Sequence, residues 1–257
     1  MVISMDRWRG KVAIVTGASA GIGAAIVEQL VTEGLQVAGF ARRSERVQEL
    51  AKKLQDKKGK LFAVKVDLTN EEEIIKGFKW VTDNLGPVHI LVNNAGVIQP
   101  TNLTEGDTKM WKKILDTNVL GLSIATREAV KIMNEKKIDG HIVHINSVAG
   151  HTVPNIPNIN MYPASKHAVT ALTETLRQEL NHLGLKIKIT SVSPGAVDTE
   201  IVQANNFQMN PEMENLMPEK LLMLKSEDIA DAVLYALGTP PHVQVHELTI
   251  KPVGEKF

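Results

Sequence analysis

Residues 12–23 read VAIVTGASAGIG, an apolar β-branched run that enters a glycine turn and then the start of a segment with helical period. Strand, glycine turn and helix start follow in that order, and the order matters more than the glycines themselves. Gly17 allows the tight turn, Gly21 lets backbone approach a pyrophosphate, and Gly23 lets the helix pack on the strand. The free N–H groups of the helix start then face the anion. The spacing is G-x-x-x-G-x-G rather than G-x-G-x-x-G, so the flanking strand carries the assignment to a dinucleotide site.

Outward from this stretch, short apolar runs alternate with longer segments whose apolar residues recur at three and four, the signature of a parallel sheet covered by helices on both faces. The runs are 12–15, 37–40, 61–66, 90–92, 142–145, 187–192 and 248–250. They predict seven buried parallel strands. Residues 21–33, 44–57, 70–84, 118–136 and 161–183 read as crossover helices. No linker, low-complexity tract or internal repeat divides the chain, so residues 1–257 are expected to form one α/β domain of the doubly wound Rossmann type.

Composition narrows the partners. The 257 residues carry 29 basic and 29 acidic side chains and no cysteine. A neutral balance offers no electrostatic footprint for nucleic acid, and the absence of thiols removes disulfides. With a mean hydropathy of −0.07 and no apolar run near the roughly 20 residues of a spanning helix, no membrane span is predicted. Residues 1–10 place Asp6, Arg7 and Arg9 where a signal peptide needs its apolar stretch, so the expected location is cytoplasmic. The histidine pairs 141/144 and 242/246 are read as lacking acidic or thiol company, and no metal site is predicted.

An NAD site usually ends its second strand in an acidic residue that binds the adenosine ribose. Here the strand ends Ala41-Arg42-Arg43. A carboxylate would repel a 2′-phosphate, whereas guanidinium forks hold it, so NADP is the predicted cofactor. Downstream, Tyr162 and Lys166 in YPASK are four apart, which puts phenol and ammonium on one helix face. A nearby positive charge favours the phenolate, so Lys166 is expected to tune Tyr162 for acid/base work. The apolar run 142–145 ends in Asn146-Ser147 and places the Ser147 hydroxyl at a strand's carboxyl end, while Asn118 sits in a helical segment.

TGASAGIG (16–23), NNAG (93–96), Asn118, Ser147, YPASK (162–166) and PGAVDT (194–199) together resemble a short-chain dehydrogenase/reductase, in the family's order and over nearly the whole chain. The resemblance implies strand order 3-2-1-4-5-6-7. It implies Tyr162 as acid/base, Lys166 as its partner and a ribose ligand, Ser147 as polariser of the reacting oxygen and Asn118 as support of a proton-relay water. Cofactor contacts are implied at Gly17, Ser19, Gly21, Ile22, Gly23, Arg42, Arg43, Asp67, Leu68, Asn94, Ala95, Gly96, Tyr162, Lys166, Pro194, Gly195, Val197 and Thr199. A homodimer or homotetramer is implied as well. MDRWRGKVAIVTGASAGIGAAI, HINSVAGH and YPASKHAVTALTETLRQEL are similar to the insect farnesol dehydrogenase subgroup and its vertebrate relatives among ketosteroid and dicarbonyl reductases.

Two stretches shape the substrate reading. Ser147 and Tyr162 are 15 apart, slightly wider than usual in the family, and Asn155-Ile156-Pro157-Asn158 is expected to form a longer loop at the pocket rim. Residues 199–224 carry two prolines and four methionines and read as a helical lid; the alternative is a surface helix pair whose methionines face the core. A flexible Met-rich cover suits an apolar substrate. The expected reaction is therefore NADP-dependent oxidation of farnesol-like isoprenoid alcohols, with reduction of ketosteroids, dicarbonyls or other apolar ketones as the alternative and a non-catalytic NADP sensor behind both.

Overall fold

The computed structural model describes residues 3–159, 161–201 and 223–255. It contains a seven-stranded, all-parallel sheet in the order β3-β2-β1-β4-β5-β6-β7. The strands are β1 (Val12–Thr16), β2 (Gln36–Ala41), β3 (Lys60–Lys65), β4 (Val88–Asn93), β5 (His141–Ile145), β6 (Lys188–Pro194) and β7 (Glu247–Ile250). Helices α1 (Gly21–Thr32), α2 (Ser44–Lys53), α3 (Glu71–Asn84), α4 (Thr108–Leu115), α5 (Leu122–Glu135), α6 (Met161–His182) and α7 (Ser226–Gly238) cover both faces.

Two apolar clusters, one on each face, hold these layers together. One joins Ile26, Leu30, Val233 and Leu237 of α1 and α7 to Ala13, Val15 and Val37 of the sheet. The other joins Phe78 of α3, Met133 of α5 and Leu180 of α6 to Ile14, Leu91 and Ile142. Alternate strand residues thus serve opposite faces, as the period of two requires. The expectation of seven fully buried strands is corrected at the edges: β3 and β7 are mostly half-exposed, because an edge strand has one neighbour only.

Three local departures bear on the site. Asn118 does not lie in a regular helix but in a π-helical turn, Asp116–Gly121, between α4 and α5. Such single turns displace a side chain from the regular helical stack. Helices α4 and α7 add to the crossover set read from sequence. Of the candidate lid, residues 202–222 lie outside the described residues. Its two ends are joined by a parallel bridge of Val197 to Leu224, with Asp198 N donating to Leu224 O and Leu224 N to Ala196 O, each at 2.9 Å. No described helix is long and apolar enough to cross a membrane.

Candidate active site

A cleft of about 560 Å³ opens along the carboxyl ends of β1, β2, β4, β5 and β6. It straddles the point where the sheet order reverses, between β1 and β4, the place where open α/β sheets bind ligands. Its floor is the glycine turn. Gly17 has φ +68° and Gly21 φ +54°, left-handed values that glycine adopts freely. A Cβ on Gly23 would collide with the Gly17 carbonyl oxygen, so the close approach of helix to turn admits no side chain there.

Thr16 and Asn94 lock the turn to the loop after β4. Thr16 Oγ1 accepts from Asn94 N and Ala95 N, each at 3.0 Å. Asn94 Nδ2 donates to Thr16 O at 2.9 Å and Gly17 O at 3.3 Å. The side chain of Thr16 is therefore a structural hub that sequence reading passed over, although it directly precedes the glycines.

On the β2–β3 side the cleft is lined by Arg42, Arg43, Asp67 and Leu68. Arg42 is exposed and makes no hydrogen bond or ion pair with the described residues. Arg43 and its neighbour Arg46 face Glu200, with Nη–Oε2 distances of 3.6 and 2.9 Å, all in exposed side chains. Asp67 accepts from Thr69 N and Thr69 Oγ1 at 2.9 Å, closing a turn after β3. Ser19, Ile22, Gly96, Pro194, Gly195, Val197 and Thr199 complete the lining that links this side to the opposite one.

The β5–β6 side gathers Ser147, Tyr162 and Lys166 at the same cleft. Ser147 caps a short 3-10 turn, its Oγ accepting from Ala149 N at 3.1 Å. Tyr162 is half-buried, and desolvation pushes its phenol pKa up while the Ser147 hydroxyl opposes that rise. Burial pushes the Lys166 ammonium down to about 8. Its Nζ donates to Ile145 O at 2.9 Å and stands 5.7 Å from the centre of the Tyr162 ring. Lys166 stands beside the Tyr162 ring, as expected of its partner, while the largest influence on the phenol is its desolvation, with Ser147 opposing it.

Asn118 does not line the cleft but supports it from behind. Its Oδ1 accepts from Val97 N at 2.8 Å, and its Nδ2 donates to Val97 O at 2.9 Å and to Ser165 Oγ at 3.0 Å. Ser165 Oγ donates to Tyr162 O at 2.7 Å. The π-helical turn thus couples the loop after β4 to the turn of α6 that carries Tyr162 and Lys166. Ser165 and Val97 were not singled out in the sequence; Ser165 lies inside YPASK and was legible only as part of that motif.

The loop 151–159, none of whose residues lines the cleft, is held by Thr101, which pairs with Ile159 and whose N donates to Asn158 O at 2.9 Å. Three of the four paired histidines have side-chain partners. His141 and His144 share hydrogen bonds with Thr190, Thr126 and Thr173 inside the core. His246 does meet an acid, Glu174 at 3.3 Å, which corrects the reading that it had no acidic company.

Comparison with known proteins agrees with this geometry. The family profile described as short chain dehydrogenase matches residues 11–210. The chain is 54% identical over 255 residues to farnesol dehydrogenase of Aedes aegypti, covering 98% of this chain and all of that one. It is 45% identical to dehydrogenase/reductase SDR family member 11 of Bos taurus, over 98% and 99% of the two chains. Among solved structures, an alcohol dehydrogenase from Thermococcus sibiricus complexed with 5-hydroxy-NADP superposes with a TM-score of 0.82 at 27% identity, over 96% and 98% of the chains. A Burkholderia phymatum relative complexed with NAD gives a TM-score of 0.84 at 26% identity, over 94% and 89%. With its doubly wound sheet, its switch-point cleft and a profile match over most of its length, the chain belongs to the short-chain dehydrogenase family of oxidoreductases.

Proposed function

We propose that the protein is an NADP(H)-dependent alcohol dehydrogenase/carbonyl reductase that acts on apolar substrates, with oxidation of farnesol-like isoprenoid alcohols to aldehydes as its main reaction. The observation that carries this reading is the convergence of Ser147, Tyr162 and Lys166 on one end of a cleft whose other end presents Arg42 and no carboxylate at the end of β2.

The residues fit a dinucleotide. The glycine turn admits backbone-close contact, and Arg42 is available for a phosphate. When bound, the nicotinamide accepts or donates the hydride. Ser147 and Tyr162, which line the same end of the cleft, form a pair of hydroxyls that can both hold the substrate oxygen. In oxidation the phenolate form of Tyr162 takes the alcohol proton and becomes the phenol; in reduction the phenol gives that proton to the carbonyl oxygen and becomes the phenolate. Lys166 holds positive charge beside the phenol and, through Ile145 O, fixes α6 against β5. Asn118 supports the relay by positioning the start of α6 through Ser165. We take the enzyme to be a cytoplasmic homodimer or homotetramer, which light scattering and imaging of a tagged chain check.

The substrate class draws on the name of the 54% identical Aedes relative and on apolar groups at the reacting end, among them Val97, Ile145, Val197 and Ile201. Each buried methylene contributes about 0.8 kcal/mol, so affinity is expected to rise along an alcohol series from prenol through geraniol to farnesol. Steady-state kinetics with NADP+ measures this. A flat or falling kcat/KM along the series, or a preference for short polar carbonyls, refutes the apolar substrate while leaving the oxidoreductase intact.

A further inference from the structure

The chain returns to the cleft at its carboxyl end. After β7 a turn with Gly254 at φ +89° brings Glu255 against the loop that follows β6. The Glu255 side chain is 1% exposed. Its Oε2 accepts from Ala196 N at 2.9 Å and lies so close over Gly195 that a Cβ there would collide with the carboxylate. Lys251 Nζ stands 3.6 Å from Oε1, and Oε1 has no hydrogen-bond partner among the described residues. Burying a carboxylate is costly unless its contacts repay it. Packing a tail needs only an apolar side chain; holding a backbone N–H needs an acceptor.

What the carboxylate holds is the wall of the cleft. Gly195 N donates to Ile250 O at 2.7 Å and Asp198 N to Leu224 O at 2.9 Å, so the loop is pinned from β7, from residue 224 and from the tail. Sheet order fixes which end of a dinucleotide meets this wall. The glycine turn follows the central β1, Arg42 and Asp67 follow β2 and β3 on one side, and Ser147 and the 194–199 loop follow β5 and β6 on the other. Adenosine on the arginine side therefore leaves the nicotinamide against Gly195, Val197 and Thr199.

We infer that Glu255 is a positioning residue for the nicotinamide end of the cofactor, its carboxylate clamping the backbone at Gly195 and Ala196 so that the loop presents a fixed surface to the ring. This rests on the dinucleotide reading above. Calorimetric titration with NADP+ and with 2′-phospho-ADP-ribose, which lacks the nicotinamide, separates this role from a general effect on folding. Glu255→Ala should weaken NADP+ about tenfold while leaving the fragment within about twofold of wild type, the size expected for losing one hydrogen bond to a charged group. Glu255→Gln, which keeps an oxygen for the Ala196 N–H, should restore most of that affinity. If the alanine variant does not fold, Glu255→Asp, whose shorter side chain withdraws the carboxylate, carries the same comparison. Equal losses for both ligands, or none for NADP+, overturn the proposal. A wild-type protein that binds neither ligand overturns it together with the dinucleotide reading.

Discussion

The carboxyl and amino edges of the sheet, where its strands end and begin, each have a buried lysine beside them, and the contrast shows what distinguishes a reactive site from a structural one. At the carboxyl edge Lys166 is buried and pushed down to about 8; at the amino edge Lys188 is pushed down to about 8 as well. Each neighbours a buried histidine of β5 that desolvation holds neutral, His144 at about 3 and His141 well below its ordinary value. The valence differs. Lys188 Nζ donates to Thr239 Oγ1 and Val243 O, both at 2.9 Å, with Pro240 O at 3.4 Å and Thr239 O at 3.5 Å. Lys166 Nζ makes one such bond, to Ile145 O, and lines the cleft. A perturbed lysine therefore marks chemistry only where donors remain to be used, and a shifted pKa alone would have chosen both.

Substitution of the two lysines by methionine is the strongest way to break this comparison. Lys166→Met should lower kcat/KM by about 10²–10⁴, the range for groups serving acid/base catalysis. Lys188→Met should leave kcat/KM within about threefold but lower the unfolding free energy by about 1–3 kcal/mol, because buried carbonyls lose their donor. Comparable activity losses in the two folded variants would refute the assignment of the edges.

A smaller effect is expected at the phosphate end. Replacing Ala41 by Asp and Arg42 by Ala should weaken NADP+ by about one to two decades and shift preference toward NAD+. Fluorescence titration with both cofactors reads it. Unchanged dissociation constants would mean that the phosphate is held elsewhere, with Arg43 and Arg46 released from Glu200 the first candidates.

A separate effect is on stability against pH. For Lys166 and Lys188 the folded pKa of about 8 lies below the ordinary 10.5. Between those values the unfolded chain holds protons that the folded chain has released, so stability contributed by these groups rises with pH from about 8. Tyr162 acts in the opposite sense above about 10, where the unfolded phenol ionises first. Urea titrations from pH 7.5 to 10 should show the rise, and each methionine variant should reduce it. A rise undiminished in both variants would assign it to other groups.

The carboxyl edge was far more legible in sequence than the amino edge. Strand, glycine turn and helix in 12–23 are contiguous, so local order alone fixed the first βα unit and the cleft above it. Ser147 and Tyr162 could be paired because each sits at a predictable place, a strand end and a helix start. The Lys188 cage draws its acceptors from 51 to 55 residues away, a separation that periodicity does not register. Helix α7 escaped for another reason: it buries Ile229, Ala230, Ala232, Val233, Ala236 and Leu237, so its apolar residues show no clear stripe. Glu255 was not singled out in the sequence, because only the folded chain brings it to Ala196.

The direct test of the account is Tyr162→Phe, which removes one hydroxyl and keeps the ring. Purified wild type and variant should be compared for NADP+ affinity and for turnover in both directions, farnesol with NADP+ and farnesal with NADPH. The account predicts a fall in kcat of at least about 10²-fold, with cofactor affinity within about twofold of wild type. A folded variant that binds cofactor and turns over at the wild-type rate would contradict it.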